Sequence, residues 1–257
     1  MSTSKPDAIV FVHAHPDDEC VLTGATLAKA TSLGIRTIVV YGSRGDAGET
    51  NTELAGETLG DRRVREAEAA CAQLGVSRVE WLPYADSGMA NTATTKHPDA
   101  FSNQPPERLA IELAGLVADE HIAAVVGYDS NGTYGHPDHR QVHHVAHAAA
   151  TTLGAGWVLD ATYNREYIAG LPDSDGTLDP TFAAAEADLT HYVTGDEWLQ
   201  AKLRALANHR SQIPDDWDRG KPDIEGFRNR FGTEWYIATP RNPITDLGIL
   251  QDLLEPK

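Results

Sequence analysis

The chain has 257 residues, 41% hydrophobic and 23% charged, with 38 acidic against 21 Lys and Arg side chains and a formal charge of −17. That excess repels phosphate backbones and anionic headgroups, so neither a nucleic-acid nor a membrane partner is expected, and no apolar run approaches the ~18 residues of a bilayer span. Two cysteines, Cys20 and Cys71, and an N-terminus without an apolar leader region lead to the expectation of a cytoplasmic protein, a single domain over residues 1–257 acting on a small neutral or cationic molecule.

The run Ala8 to Val12 is short, continuous and β-branched, as a strand buried on both faces reads. Val21, Leu22, Ala25, Leu27 and Ala28 then recur at helical spacing before Gly34, and a second strand follows from Arg36 to Tyr41. Residues 42–60 show no period and read as a long functional loop. A helix from Asp61 to Leu74, a strand from Arg78 to Leu82, an irregular stretch over 84–104, a helix from Pro106 to Glu120 and a strand from Ile122 to Gly127 complete the pattern, and a His-rich helix begins near His136. Such alternation predicts an α/β, Rossmann-like fold, a mostly parallel sheet with helices on both faces. The last hundred residues are less regular, with strands expected at Trp157–Ala161 and Trp235–Ala238 and a helix at Glu197–His209.

Ligands of open α/β sheets bind beyond the carboxyl ends of the strands. Directly after the first strand comes His13-Ala14-His15-Pro16-Asp17-Asp18-Glu19, and after the fourth comes Tyr134-Gly135-His136-Pro137-Asp138-His139. Proline in a first helical turn and carboxylates at the positive end of the helix dipole would explain part of each string as an ordinary helix start. They do not explain His15 with Asp18 and His136 with His139, each pair at i and i+3 and so on one helical face. Nitrogen and carboxylate donors without thiolates suit zinc, with ferrous iron as the alternative. A hydrolytic site keeps one position open, so His15, Asp18 and His139 are assigned to the metal, Asp17 to the general base and His136 to charge stabilisation or leaving-group protonation. Spacing alone leaves open the exchange of His136 and His139. Tyr134 is the candidate donor to an oxyanion. A third triplet, His97-Pro98-Asp99, has no strand before it and reads as a surface turn.

The two motifs, with Arg44 to Glu49, Arg65 to Glu68, Asp86-Ser87-Gly88-Met89 and His209-Arg210-Ser211-Gln212, resemble the PIG-L/LmbE-like zinc de-N-acetylases, most closely the actinobacterial N-acetylglucosaminyl inositol deacetylase and mycothiol conjugate amidase branch. The resemblance implies the same roles for His15, Asp17, Asp18 and His136 and favours His139 as ligand. It also implies that Asp138 tunes His136, and that Arg65 and Asp86 face the substrate. The function it implies is zinc-dependent removal of an N-acyl group from a small amino-sugar-type substrate, in a monomer or a homo-oligomer. The alternatives are an amidase for a larger thiol conjugate, a tailoring deacylase of secondary metabolism, and a zinc-bound scaffold without activity, which would not need Asp17 and His136. A nucleotide-binding module is disfavoured, because no G-x-G-x-x-G follows the first strand. His13 is expected to be a buried, hydrogen-bonded histidine, and His143 and His147 to lie behind the ligands or on the surface. Cys20 is read as a small buried hydrophobe, and Asp129 as either a support for a ligand histidine or an Asx-turn.

Overall fold

The computed structural model describes residues 7–50, 52–171, 179–213, 224–241 and 246–257. The leader reading concerned residues that lie mostly outside that set. Among the described residues the strands are β1 (Asp7–His13), β2 (Arg36–Ser43), β3 (Arg78–Tyr84), β4 (His121–Tyr128), β5 (Trp157–Thr162), β6 (His191–Thr194), β7 (Thr233–Pro240) and β8 (Glu255–Pro256), in one sheet of order β3-β2-β1-β4-β5-β7-β6-β8. The helices are α1 (Asp18–Ser32), α2 (Leu59–Leu74), α3 (Pro106–Leu116), a single turn α4 (Gly132–Gly135), α5 (Pro137–Leu153), α6 (Arg165–Ala169), α7 (Asp196–Leu206) and α8 (Ile224–Phe231).

β1 lies between β2 and β4, parallel to both, with Phe11 level with Val39 on one side and Val126 on the other. A strand so enclosed has no solvent face, which is why Ala8 to Val12 carry no polar alternation and are fully buried. The chain steps outward from β1 to β2 and β3, then returns to β4 and β5. Right-handed crossovers therefore put α1 and α2 on one face and α3 and α5 on the other, and each pair packs together. The direction of travel reverses between β1 and β4, and that reversal opens a crevice at their carboxyl ends.

The parallel half follows the sequence expectation closely. Gly75 and Gly154 close α2 and α5 in left-handed conformations, and Thr58 caps α2 by accepting from Asp61 N at 3.1 Å. Beyond β5 the sheet turns antiparallel: β7 pairs with β5 and β6, and β6 pairs with β8. β6 had no counterpart in the sequence reading, because four residues, two of them partly exposed and partnered from about forty positions away, leave no periodic signature. This half is fastened to α1 by Glu234 of β7, which accepts from Ala25 N and Thr26 N at 2.8 Å and from Lys202 Nζ of α7 at 2.8 Å. Both charged side chains of that pair are 1% exposed.

Candidate active site

The turn after β1 carries the most unusual backbone of the site. Asp17, immediately before α1, has φ 105° and ψ −29°, a left-handed conformation that costs a non-glycine residue of order 1–3 kcal/mol. Its surroundings enforce it. Glu19 Oε2 accepts from Asp17 N at 2.9 Å, while Arg63 Nη2 donates to Pro16 O at 2.5 Å and to Asp17 Oδ2 at 3.3 Å. Arg63 is itself held by Gly45 O at 2.8 Å. Gly45 has φ +68°, and a Cβ there would meet the guanidinium at 2.5 Å, so the Arg44-to-Glu49 loop needs glycine for both reasons.

Behind this turn Glu19 pairs with His209 Nε2 at 2.6 Å, both side chains fully buried. Burial opposes charge on Glu19, but the His209 partner prevails and holds the carboxyl down at about 2. His209 is raised in turn: burial lowers it, and Glu19 more than compensates. The segment that brings His209 in is docked on α2 by Glu66, which accepts from Ser211 N at 3.0 Å and Ser211 Oγ at 2.6 Å.

The second turn, after β4, is built differently. Asp129 accepts from Asn131 N at 2.8 Å and from Thr133 N at 3.2 Å, and receives the Thr162 hydroxyl at 2.5 Å; of its two sequence readings the turn-forming one is seen. Thr133 is forced to φ 57°, ψ −73°, and its hydroxyl lies 3.4 Å from His139 Nδ1. His136 caps α5 with its own ring, Nδ1 accepting from Asp138 N at 3.2 Å. A neutral imidazole that accepts at Nδ1 carries its proton on Nε2, so His136 presents an N–H rather than a lone pair.

These turns bring the expected residues together. His15 and His139 have ring centroids 5.4 Å apart, and His15 and His136 4.6 Å apart. Asp18 reaches both halves, with Oδ1 at 3.4 Å from His139 Nε2 and Oδ2 at 3.8 Å from His15 Nδ1. His15 Nε2 faces away from Asp18, toward Asp138 at 3.1 Å and Asp86 at 3.3 Å. Burial lowers the His15 pKa, but the bonds to Asp138 and Asp86 outweigh it and raise it to about 10. Burial also works against the charge of Asp18, yet His139 and His15 bring it down to about 2. His139, buried and beside other imidazoles, falls to about 3 and is neutral at any ordinary pH.

The donor chemistry fits a divalent ion. Ligand atoms of His15, His136 and His139 lie within 4.8 Å of one another, and the separations from Asp18 approach the ~3.4 Å edge of a tetrahedron with bonds of about 2.1 Å. His15 Nδ1 and His139 Nε2 face the Asp18 carboxylate, whereas the capping bond of His136 occupies its Nδ1. Asp17 stands next to this cluster with 29% of its side chain exposed. Burial, reinforced by Asp18 and opposed by Arg63, lifts its carboxyl to about 6.

The remaining expected residues are placed as follows. Tyr134 is half-exposed, with its hydroxyl 3.3 Å from His139 Nε2; burial of the phenol oxygen and the Asp18 charge raise its pKa, so it is a neutral donor. Asp138 is fully buried, and its carboxylate accepts from Ser87 N and Ser102 N at 2.9 Å and bonds His15; to His136 it gives its backbone N–H, and its charge raises the His136 pKa against the larger lowering by burial and His15. Asp86 is 5% exposed and is bonded to Gly88 N at 2.8 Å and Ala47 N at 3.2 Å as well as to His15. Arg65 is exposed and pairs with Glu57 and the Asp61 carbonyl, away from the cluster. Two helical positions rotate the side chain by about 200°, so Arg63 faces the site where Arg65 does not. The signal was in the sequence: Arg63 shares its face with the buried Ala67, Ala70 and Leu74. His13 is buried between Tyr128 OH at 2.8 Å and Thr23 Oγ1 at 3.1 Å. His209 was singled out only within the segment His209 to Gln212 that resembles the family, and its pairing with Glu19 had no local signal, since the two lie 190 positions apart.

Residues 10–150 match the family described as PIG-L, GlcNAc-PI de-N-acetylase. A 1D-myo-inositol 2-acetamido-2-deoxy-alpha-D-glucopyranoside deacetylase of Actinosynnema mirum is 35% identical over 83% of this chain and 83% of its own length. The protein of the same name from Acidothermus cellulolyticus is 33% identical over 90% of this chain and 88% of its own. In three dimensions the N,N'-diacetylchitobiose deacetylase of Pyrococcus horikoshii superposes with a TM-score of 0.62 over 94% of this chain and 88% of its own, at 22% identity, a likeness of fold.

Proposed function

We propose, since the chain belongs to the PIG-L family of de-N-acetylases, that it is a zinc-dependent hydrolase removing the acetyl group from an N-acetylglucosamine joined to inositol. Family membership and the names of the relatives support a deacetylase, and the substrate assigned to those relatives is the one we adopt. One observation carries the chemical reading: a carboxyl raised to about 6, partly open to solvent, stands beside Asp18, whose two oxygens lie 3.4 Å from His139 Nε2 and 3.8 Å from His15 Nδ1.

In this reading His15 Nδ1, Asp18 and His139 Nε2 hold the metal, and Asp138 and Asp86 orient His15 through its other nitrogen, an arrangement that fixes tautomer and ring plane. Zinc held there supplies Lewis acidity and acidifies a water to a pKa of about 7. Asp17 takes the proton from the attacking water, and its elevated pKa matches that task near neutrality. The Nε2–H of His136 and the hydroxyl of Tyr134 are the donors for the oxyanion that develops on the amide, and Asp17, having taken the proton of the attacking water, delivers it to the departing amine. Arg65, turned to Glu57 and away from the cluster, has no substrate role in this reading, and Asp86 serves as support for His15.

The test is acetate release from N-acetylglucosaminyl inositol. The expected result is turnover that chelation abolishes and zinc restores. Turnover that survives complete metal removal would remove the proposal.

A further inference from the structure

One and two turns beyond His139, α5 carries His143 and His147, whose rings lie 4.4 Å apart between centroids. Asp160 of β5 faces both. His147 Nε2 is 3.0 and 3.1 Å from its two oxygens, and His143 Nδ1 is 3.4 Å from Oδ1 and 2.9 Å from Tyr128 O. One ligand atom from each residue lies within 4.8 Å of the other two. Donors sharing a tetrahedral ion with bonds of about 2.1 Å stand ~3.4 Å apart, a spacing that His147 Nε2 and Asp160 approach, while the Nδ1–H of His143 donates to the Tyr128 carbonyl and leaves Nε2 as its ligand atom.

A simple brace between α5 and β5 would need one imidazole on that carboxylate. Two imidazolium rings this close repel each other, whereas two neutral rings and one carboxylate around a cation do not. The side chains of His143, His147 and Asp160 are 19%, 29% and 7% exposed, so both rings reach solvent. We propose that His143, His147 and Asp160 form a second metal site that takes a borderline divalent transition ion such as zinc, cobalt or nickel. Imidazole and carboxylate donors suit those ions, whereas magnesium and calcium prefer an all-oxygen shell. The site shares no ligand with the His15, Asp18 and His139 cluster and stands independently of the deacetylase reading. A filled site ties the helix that carries His136 and His139 to β5.

The experiment is equilibrium dialysis of chelator-stripped protein against micromolar zinc, then against cobalt, with metal counted per chain. Two ions are expected in the unsubstituted protein, one in His147→Gln, one in Asp160→Asn, one in His139→Ala and none in His139→Ala/His147→Gln. Zinc should also raise the melting temperature of His139→Ala by several degrees and leave that of the double variant unchanged. The proposal is overturned if His147→Gln and Asp160→Asn, each folded by circular dichroism, take up as many ions as the unsubstituted protein. Unchanged uptake in His139→Ala would instead count against the catalytic metal set and leave this site standing.

Discussion

The two turns that meet at the site both contain His-Pro-Asp, and they use it in opposite ways. After β1, His15 turns its ring toward Asp18 and the following Asp17 is lifted into a left-handed conformation beside solvent. After β4, His136 caps its own helix, and the aspartate following its proline, Asp138, is buried to accept from His15, Ser87 and Ser102. The third copy, His97-Pro98-Asp99, makes a surface turn in which Asp99 N donates to His97 Nδ1 at 3.1 Å. A tripeptide thus specifies a helix start or a turn, and its chemistry comes from what the fold packs around it.

Substitutions break or sharpen that contrast. The largest effect should fall on Asp17, the aspartate held out of the pattern: Asp17→Asn is expected to lower kcat by ~10²- to 10⁴-fold with metal content unchanged, as acetate release and metal analysis would show. Next comes its support. Glu19→Gln leaves buried His209 without its counter-charge and should cost about 3–5 kcal/mol of stability in urea unfolding.

The sign of the pH dependence follows from both partners. Glu19 has a depressed pKa, so its contribution is present above about 4.5 and fades as pH falls toward about 2. His209 has a raised pKa, so its contribution is present below about 6.5 and fades as pH rises through the folded value. The stability gap between Glu19→Gln and the unsubstituted protein should therefore be widest between about pH 4.5 and 6.5; a gap that did not shrink on either side of that range would contradict a charged pair.

On the opposite turn, His136→Gln should reduce kcat by ~10²- to 10³-fold, while Asp138→Asn should weaken metal affinity by ~10- to 100-fold, an effect visible in competition with a chromogenic chelator. The smallest effect is a displacement. With Asp17 at about 6, kcat/KM should fall below that pH as the base becomes protonated, and Arg63→Gln, which removes the cation that lowers Asp17, should move this acid limb upward by about one pH unit.

Much of the parallel half was legible because its signals are local. An enclosed strand such as β1 must be apolar on both faces, and glycines such as Gly75 and Gly154 mark helix ends through a backbone only they adopt cheaply. His15 with Asp18 and His136 with His139 do meet at the site, but not on a shared helical face as expected: His15 and His136 lie in the turns before α1 and α5. Arg65 was singled out where Arg63 faces the site, because a motif boundary was followed in place of the buried face of α2.

By itself, then, the sequence determined the order of strands and helices in the parallel half and the two His-Pro-Asp motifs that arrive at its carboxyl edge, since these depend on short-range periodicity and on the handedness of crossovers. Tertiary structure alone decided that Asp138 serves His15, that Glu19 meets His209 across 190 positions, and that β6 joins the sheet. Each of those rests on contacts between distant segments, where a single hydrogen bond or carboxylate orientation sets the role and leaves no pattern in the neighbouring residues.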